Sequence, residues 1–164
     1  MPTASLQFRA ATETDVTAIT GLLNQLNQAE GNPTVMHEEN VRSGLFGTDR
    51  KVPLRALLAI HNEAIIGAVL YYVGYDILTS VNGYHLGDLV VDSAYRRQGV
   101  GRALFAALAA QNLEEGGEWI SLTALSKNTP ALNFYRGLGM VNVAVDFFAA
   151  GKIILQDIIH TTPK

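Results

Sequence analysis

Apolar positions along the chain recur at helical spacing in several segments. Residues 12–31 open with a capping pattern of Thr12 and Asp15 and predict a helix with Val16, Ile19, Leu22, Leu23 and Leu26 on one face. A second helix is predicted from Thr34 or His37 to about Phe46, and residues 99–115 and 129–137 predict two further helices. Each of these helices is expected to end at or beside a glycine, which commonly stops a helix.

Runs rich in valine, isoleucine and tyrosine predict strands between these helices. They cover residues 6–10, 54–60, 64–74, 84–91, 119–125, 141–149 and 152–159. The pair Asn82-Gly83 is a hairpin signal and is expected to form the turn into the fourth strand. The last two strands are expected to close the chain as a hairpin around Ala150-Gly151.

The order of these elements predicts an α/β fold of the α+β type, with a mixed, mostly antiparallel sheet of about seven strands and with four helices. The helix between residues 91 and 119 requires a parallel crossover in a sheet that is otherwise a meander. Two parallel strands that diverge there would leave a crevice for an extended ligand. Residues 1–164 contain no linker or repeat and are expected to form a single domain.

The composition limits the kinds of binding partner and metal site that are expected. Hydrophobic residues make up 48% of the 164 residues and charged residues 16%, which is typical of a globular domain. The net charge of −3 favours neither nucleic acid nor an anionic membrane, so neither partner is expected. The absence of cysteine excludes disulfides and thiolate metal sites, and no metal is expected. Residues 1–5 show no signal-peptide pattern and no apolar run could span a membrane, so a cytoplasmic location is expected.

The strongest chemical signal is the segment between the strand that ends at Val91 and the next helix. It contains Arg96, Arg97, Gly99, Gly101 and Arg102. Glycine lets the backbone approach a ligand closely, a helix N-terminus presents N–H groups, and arginines attract a pyrophosphate. The segment therefore predicts an anion site, against the simpler interpretation of a solvated basic turn. A dinucleotide fingerprint would need glycine at Leu104, and a P-loop would need Gly-Lys-Ser/Thr.

A second motif follows the next predicted strand. Asn128 stands just past the strand end, and Tyr135 lies seven residues later, about two helical turns on and on the same side. Each residue also has an ordinary structural interpretation, because asparagine often caps a helix and tyrosine often packs under a sheet. Both interpretations of Asn128 are compatible with each other.

These two motifs resemble the GCN5-related N-acetyltransferase (GNAT) superfamily. Arg96-x-x-Gly99-x-Gly101 is similar to its acyl-CoA pyrophosphate loop. The segment Asn128-x-x-Ala131-x-x-x-Tyr135 is similar to its following helix, with Met140 where the family often has phenylalanine. Most of the chain resembles the diamine (spermidine/spermine) and thialysine acetyltransferase branch, although Gly87 stands where that branch usually has glutamate.

The resemblance implies a GNAT-like fold and an N-acetyltransferase that moves an acetyl group from acetyl-CoA to a primary amine of a small molecule, such as a polyamine or an amino acid. The resemblance also implies direct transfer in a ternary complex, acetyl-CoA as the cosubstrate, no metal, and a homodimer. Tyr135 would be catalytic, because its hydroxyl would protonate the departing thiolate. The residues expected to contact acetyl-CoA are Leu89, Val90, Val91, Arg96, Arg97, Gln98, Gly99, Val100, Gly101, Arg102, Asn128, Ala131, Phe134 and Tyr135.

The residues expected to bind the acceptor amine are Glu30, Tyr72, His85 and Asp88. An amine with a pKa near ~10.4 must lose a proton before it attacks the thioester. Asp88 is the candidate catalytic base, and His85 or water are alternatives. Regular strand alternation would place Asp88 on the same face as Leu86.

The sequence leaves open two alternatives to this function. Asp88 is equally well interpreted as a buried structural carboxylate that accepts backbone hydrogen bonds. Gly87, which replaces an acid, is also compatible with a protein that binds acetyl-CoA as a sensor or interaction module without turnover.

Overall fold

The computed structural model describes residues 6–49, 53–143 and 148–161. They form two compact units, which meet in sequence between Thr129 and Pro130 and are described separately. The first unit contains a sheet of β1 (Gln7–Ala10), β2 (Arg55–His61), β3 (Ala64–Asp76), β4 (Val81–Val91) and β5 (Gly117–Leu122). Its helices are α1 (Val16–Glu30), α2 (Glu38–Phe46) and α3 (Val100–Glu114).

The five strands lie in the order in which they occur along the chain. β1 to β4 pair with their neighbours antiparallel, whereas β4 and β5 are parallel. The parallel pair requires a crossover, and α3 provides it. The structure thus confirms the prediction of a mixed, mostly antiparallel sheet with a parallel crossover after Val91.

Both faces of the sheet are buried by helices. On one side, which we call the α1 face, the buried residues of α1 and α2 pack against Leu58, Leu70 and Val90 of the strands. On the other side, the α3 face, Val100, Leu104 and Leu108 of α3 pack against strand residues that include Tyr71, Tyr84 and Leu86. The sheet is therefore the middle layer of three, and the burial of its two faces supplies most of the apolar stabilisation of this unit.

A charged capping arrangement precedes α1. Thr12 and Asp15 form the predicted capping box, here around a short 3-10 turn that leads into the helix. The Arg9 guanidinium donates two hydrogen bonds to the buried Asp15 carboxylate, at 2.7 and 2.8 Å, and the Thr12 N–H donates a third at 2.7 Å. The bonds from Arg9, followed by those from Thr12, hold the pKa of Asp15 well below its usual range, against the effect of desolvation.

The turn between β3 and β4 lies earlier than predicted. Residues 77–80 form the turn, and Asp76 accepts hydrogen bonds from the Leu78 N–H and the Thr79 hydroxyl. Asn82 and Gly83 lie inside β4, opposite Tyr75 and Gly74. A Cβ at Gly83 would collide with the ring and carbonyl of Trp119 on β5, so this glycine serves close strand packing rather than a turn.

The second unit begins within α4 (Thr129–Gly137) and contains α5 (Lys152–Thr161). The prediction of a closing hairpin is wrong, because its second strand is α5. Isoleucine-rich composition suggested a strand, but the pairs Ile154-Leu155 and Ile158-Ile159 recur at four-residue spacing, which fits a helix equally well. Residues 141–143 and 148–151 form no strand, and residues 144–147 lie outside the described residues.

The counts of elements change accordingly. Among the described residues the chain has five strands and five helices, rather than about seven strands and four helices. None of the helices in this part of the chain combines the length and the apolar character that a membrane crossing requires.

Candidate active site

The parallel strands β4 and β5 separate partway along their length. Their pairing ends at Leu86 and Leu122, whereas β4 stays paired with β3 as far as Val91. The backbone of residues 87–91 therefore has no ladder partner on its β5 side among the described strands. N–H and C=O groups presented in this way can pair with an extended ligand that takes the place of a strand. The predicted divergence of two parallel strands is thus present after Leu86.

A bulge in β4 lies at the point of separation. Tyr71 pairs with Leu86 and Leu70 pairs with Asp88, so Gly87 is an extra residue in β4. The extra residue reverses which face the following side chains occupy. Leu86 packs on the α3 face, whereas Val90, four positions later, packs on the α1 face. The expectation that Asp88 shares a face with Leu86 is therefore wrong, because it assumed unbroken alternation.

The bulge brings the residues predicted for the acceptor amine to one side of the sheet. Asp88 now shares the α1 face with Tyr72 and His85, which are cross-strand partners. The rings of Tyr72 and His85 stack with centroids 5.0 Å apart, and His85 Nδ1 lies 3.0 Å from the Ser121 hydroxyl oxygen. We call Glu30, Tyr72, His85 and Asp88 the polar cluster.

Glu30 enters this cluster from the last turn of α1. Asp88 retains solvent exposure, yet the protein around it desolvates its carboxyl. This desolvation, followed by the negative charge of Glu30, raises the pKa of Asp88. Among the described residues no hydrogen bond to the Asp88 carboxylate is found. N–H donors to a carboxylate would lower its pKa instead, and the choice between a base and a structural carboxylate stays a prediction.

Asn128 lies beside the polar cluster. It follows β5 directly before α4, and its Nδ2 donates to Glu30 Oε1 at 3.0 Å. Its N–H donates to the Leu125 carbonyl at 2.8 Å, so the loop after β5 is also held internally. The structure thus brings together two residues that are far apart in sequence and were predicted for different substrates.

The loop before α3 turns its backbone through two left-handed residues, Arg97 with a φ of 62° and Gly99 with a φ of 83°. A non-glycine residue in this conformation is strained, and such strain is frequent at ligand sites. α3 starts at Val100, and its first helical hydrogen bond joins the Ala103 N–H to the Gly99 carbonyl. The N–H groups of Val100 and Gly101 precede that bond and point along the helix axis, as an anion site requires.

Several predicted acetyl-CoA contacts already have partners within the protein. Arg96 Nε donates to the Val91 carbonyl and Gln98 Nε2 donates to the Ala94 carbonyl, both at 3.0 Å. These bonds tie the loop to the end of β4, and the Arg96, Arg97 and Arg102 side chains remain exposed. The side chains of Val90 and Val100 are buried, and those of Leu89 and Val91 are half-buried against the α3-face core, so these residues offer a ligand mainly their backbones.

The remaining predicted residues lie on α4 in the second unit. Ala131, Phe134 and Tyr135 are half-buried, and the rings of Phe134 and Tyr135 meet edge to face at 5.2 Å. The helix has the predicted extent, so Tyr135 stands two turns after Asn128 as expected. The roles of these side chains stay predictions.

Two residues at the site were missed by sequence reasoning. Ser121 is the hydroxyl partner of His85, and Gln25 of α1 bonds to the residues at the end of β4. Neither residue belongs to a motif, and their partners are distant in sequence. Gly87 did carry a signal, because an isolated glycine within a strand pattern suggests a bulge. In the described parts of the chain no group of three or more histidine, aspartate or glutamate residues is arranged to hold a metal.

Comparison with known proteins gives one family. The model of the acetyltransferase (GNAT) family matches residues 20–140. A thialysine N-epsilon-acetyltransferase of Mus musculus is 29% identical over 144 residues, which cover 83% of this chain and 84% of that protein. An L-ornithine N5-acetyltransferase of Arabidopsis thaliana is 28% identical over 80 residues, which cover 49% of this chain and only 35% of that protein.

Solved structures support the architecture. An integron cassette protein from the mobile metagenome of V. cholerae has a TM-score of 0.80 at 18% identity. The likeness covers 96% of this chain and 99% of that structure. At this level of identity it shows a shared fold and carries no information about substrates.

Proposed function

The chain belongs to the GNAT family of acetyltransferases, and from that membership we propose that it transfers an acetyl group from acetyl-CoA to a primary amine of a small molecule. The family match confirms the predicted superfamily and enzyme class. The observation that carries the finer proposal is the bulge at Gly87, which places Asp88 beside Tyr72 and His85 where β4 and β5 separate.

Acetyl-CoA is proposed to lie along the separated part of β4. The pantetheine arm would pair with the backbone of residues 87–91, which has no ladder partner on its β5 side in the described sheet. The pyrophosphate would meet the N–H groups of Val100 and Gly101 and the charges of Arg97 and Arg102. The thioester carbonyl would then lie near the bulge, where backbone N–H groups can stabilise the developing oxyanion.

The acceptor amine is proposed to bind at the polar cluster. Glu30 and Asp88 supply the negative charge that attracts an ammonium group, and the ring of Tyr72 supplies an aromatic face for it. Asp88 would take the proton that the ammonium must lose, directly or through water. Its raised pKa makes it a stronger base than an ordinary aspartate, which suits proton removal from an amine.

The reaction would end with protonation of the leaving group. The neutral amine attacks the thioester carbonyl, a C–N bond forms, and the C–S bond breaks. Tyr135 is proposed to donate a proton to the thiolate of CoA. The homodimer, the cytoplasmic location and the single-domain organisation stay predictions beside this mechanism.

Gly87 is the observation that favours a second candidate, an acetyl-CoA-binding sensor without turnover. Gly87 leaves its own position without a carboxylate, although Glu30 of α1 brings a negative charge close to Asp88. Release of free thiol with acetyl-CoA and a panel of polyamines, amino acids and drug-like amines separates the two candidates. We expect thiol release with at least one amine. Tight binding of acetyl-CoA without thiol release from any amine would favour the sensor.

A further inference from the structure

The side chain of Gln25 on α1 makes two hydrogen bonds to the residues that directly follow β4. Its Nε2 donates to Asp92 Oδ2 at 3.0 Å, and its Oε1 accepts from the Ser93 N–H at 3.2 Å. Both amide atoms are therefore used on two consecutive residues at the start of the loop that leads to α3. We propose that Gln25 is a positioning residue for the acetyl-CoA loop, an inference that rests on the proposed function.

The packing of α1 fixes Gln25 in this place. Leu22 and Leu23 of α1 share the α1-face core with Val90 of β4, so the helix is anchored on the strand two residues before Asp92. Gln25 is half-buried and follows Leu22 by three residues, on the same side of the helix. An amide held in this way loses little additional freedom when it forms its two bonds.

Asp92 transmits the position of Gln25 to the loop. Its Oδ1 accepts from the Ala94 N–H at 2.9 Å, and its carbonyl accepts from the Tyr95 N–H at 2.9 Å, so it caps the short turn Ser93–Tyr95. Hydrogen bonds from Gln25 and then Ala94 lower the pKa of Asp92 and keep it charged. Each carboxylate oxygen accepts one hydrogen bond, so loss of the Gln25 donor releases Oδ2 while the Ala94 N–H still holds Oδ1.

The arginines and the helix start of the proposed pyrophosphate site follow this turn directly. Arg96 bonds to the Val91 carbonyl, so Asp92 and Arg96 together hold both ends of the short turn. Gln25 does not touch the proposed ligand. It acts through Asp92 and Ser93, and its loss is expected to weaken acetyl-CoA binding more than the chemical step, because the polar cluster stays in place.

The first test compares Gln25→Ala with Gln28→Ala, a control at an exposed position of the same helix. We expect the Gln25 variant to raise the calorimetric Kd for acetyl-CoA about tenfold, because the ligand must then order a loop that the two hydrogen bonds no longer hold. The KM for the amine and kcat at saturating acetyl-CoA should change less than about threefold. The control should match the wild type. Unchanged acetyl-CoA affinity in a folded Gln25→Ala variant would overturn the inference.

An exchange of donor and acceptor gives a second test. Gln25→Glu removes the donor and places a carboxylate against Asp92, so acetyl-CoA affinity should fall at least as far as in Gln25→Ala. Adding Asp92→Asn restores the pattern, because the new amide can donate to the glutamate while the Ser93 and Ala94 N–H groups keep acceptors. We expect the double variant to recover most of the affinity. A double variant no better than the single one would contradict a positioning role.

Titration of the wild type under the same conditions distinguishes failure of the proposed function from failure of the role of Gln25. If the wild type does not bind acetyl-CoA, the proposed function fails and the inference fails with it. If the wild type binds and the Gln25 variants bind equally well, only the inference fails. Melting temperatures show whether a variant is merely destabilised, which would lower Tm without changing the Kd of the folded protein.

Discussion

Asp88→Asn removes one charge from the polar cluster and leaves the shape of the side chain almost unchanged. If Asp88 removes the proton of the amine, kcat/KM should fall about 10²–10⁴-fold, the usual contribution of a general base. The affinity for acetyl-CoA should stay within a few-fold, because the carboxylate lies at the polar cluster rather than at the loop before α3. A steady-state assay of thiol release measures the first quantity and calorimetry the second.

The pH dependence of the same variant gives a sharper test. A base works only when deprotonated, so activity rises with pH through the pKa of Asp88 in the free enzyme. Desolvation and the charge of Glu30 raise that pKa, which moves the acid limb of the profile above the ordinary aspartate value of about 3.9. Asp88→Asn should abolish this limb.

The substitution Glu30→Gln tests how the charge of Glu30 contributes to the raised pKa of Asp88. It removes the negative charge that raises the pKa of Asp88, so the acid limb should move to lower pH. Glu39→Gln, an exposed acid on α2, serves as the matched control and should leave the limb in place. An Asp88→Asn variant with wild-type kcat and an unchanged pH profile would refute the assignment of Asp88 as the base.

Three further changes test the other parts of the site and fold. Tyr135→Phe should lower kcat about 10²–10⁴-fold with acetyl-CoA affinity within a few-fold, and the loss should shrink for an acyl donor with a more acidic thiol. Full activity of this variant would make Tyr135 a packing residue. Gly99→Asp should raise the calorimetric Kd for acetyl-CoA at least about tenfold, equivalent to ~1.4 kcal/mol, through charge repulsion. Gly99→Asn is its control, since asparagine tolerates the left-handed backbone without adding charge; equal affinities would remove charge as the cause. Asp15→Asn should lower the free energy of unfolding at pH 7 by about 1–3 kcal/mol, because it breaks the charged bonds from Arg9. The pKa of Asp15 is lowered in the fold, so in denaturant titrations this difference should begin to shrink below the unfolded value of about 4 and vanish only as the pH falls through the lowered pKa of the folded protein; a difference that does not shrink below about pH 4 would contradict this explanation.

The helices α1 to α4 and the five strands of the sheet could be predicted because each has a clear local signal. Capping residues precede α1, glycines follow several of the helices, and apolar runs mark the strands. α5 was missed because isoleucine-rich segments are ambiguous between strand and helix when their polar positions are few. The prediction of a turn at Asn82-Gly83 was wrong for a different reason. Its glycine is required by Trp119, which is distant in sequence and becomes a neighbour only through the parallel pairing of β4 and β5.

The candidate site was predicted in its residue types but not in its arrangement. The loop motif and Asn128 are local patterns, so both could be read from the sequence. The bond between Asn128 and Glu30 joins residues 98 positions apart, and that between Gln25 and Asp92 spans 67 positions. Such contacts depend on how α1 packs across the sheet. The side chain of Asp88 was assigned to the wrong face because a single extra residue changes the face of all that follow it.

The bulge at Gly87 makes β4 tolerant of substitution and of deletion at this one position. A Cβ at Gly87 would lie 3.6 Å from the Leu70 carbonyl oxygen, an ordinary contact, so other side chains fit there. Removal of the residue would leave Leu86 opposite Tyr71 and Asp88 opposite Leu70 in a regular strand, so Asp88 and Val90 would keep their faces. Only an unbulged pairing that retained Gly87 would turn Asp88 into the apolar layer beneath α3 and take Val90 out of the layer beneath α1. The bulge absorbs the one residue that would otherwise shift all later side chains of β4 to the other face, so related sequences that keep this site can carry another residue here or lack it.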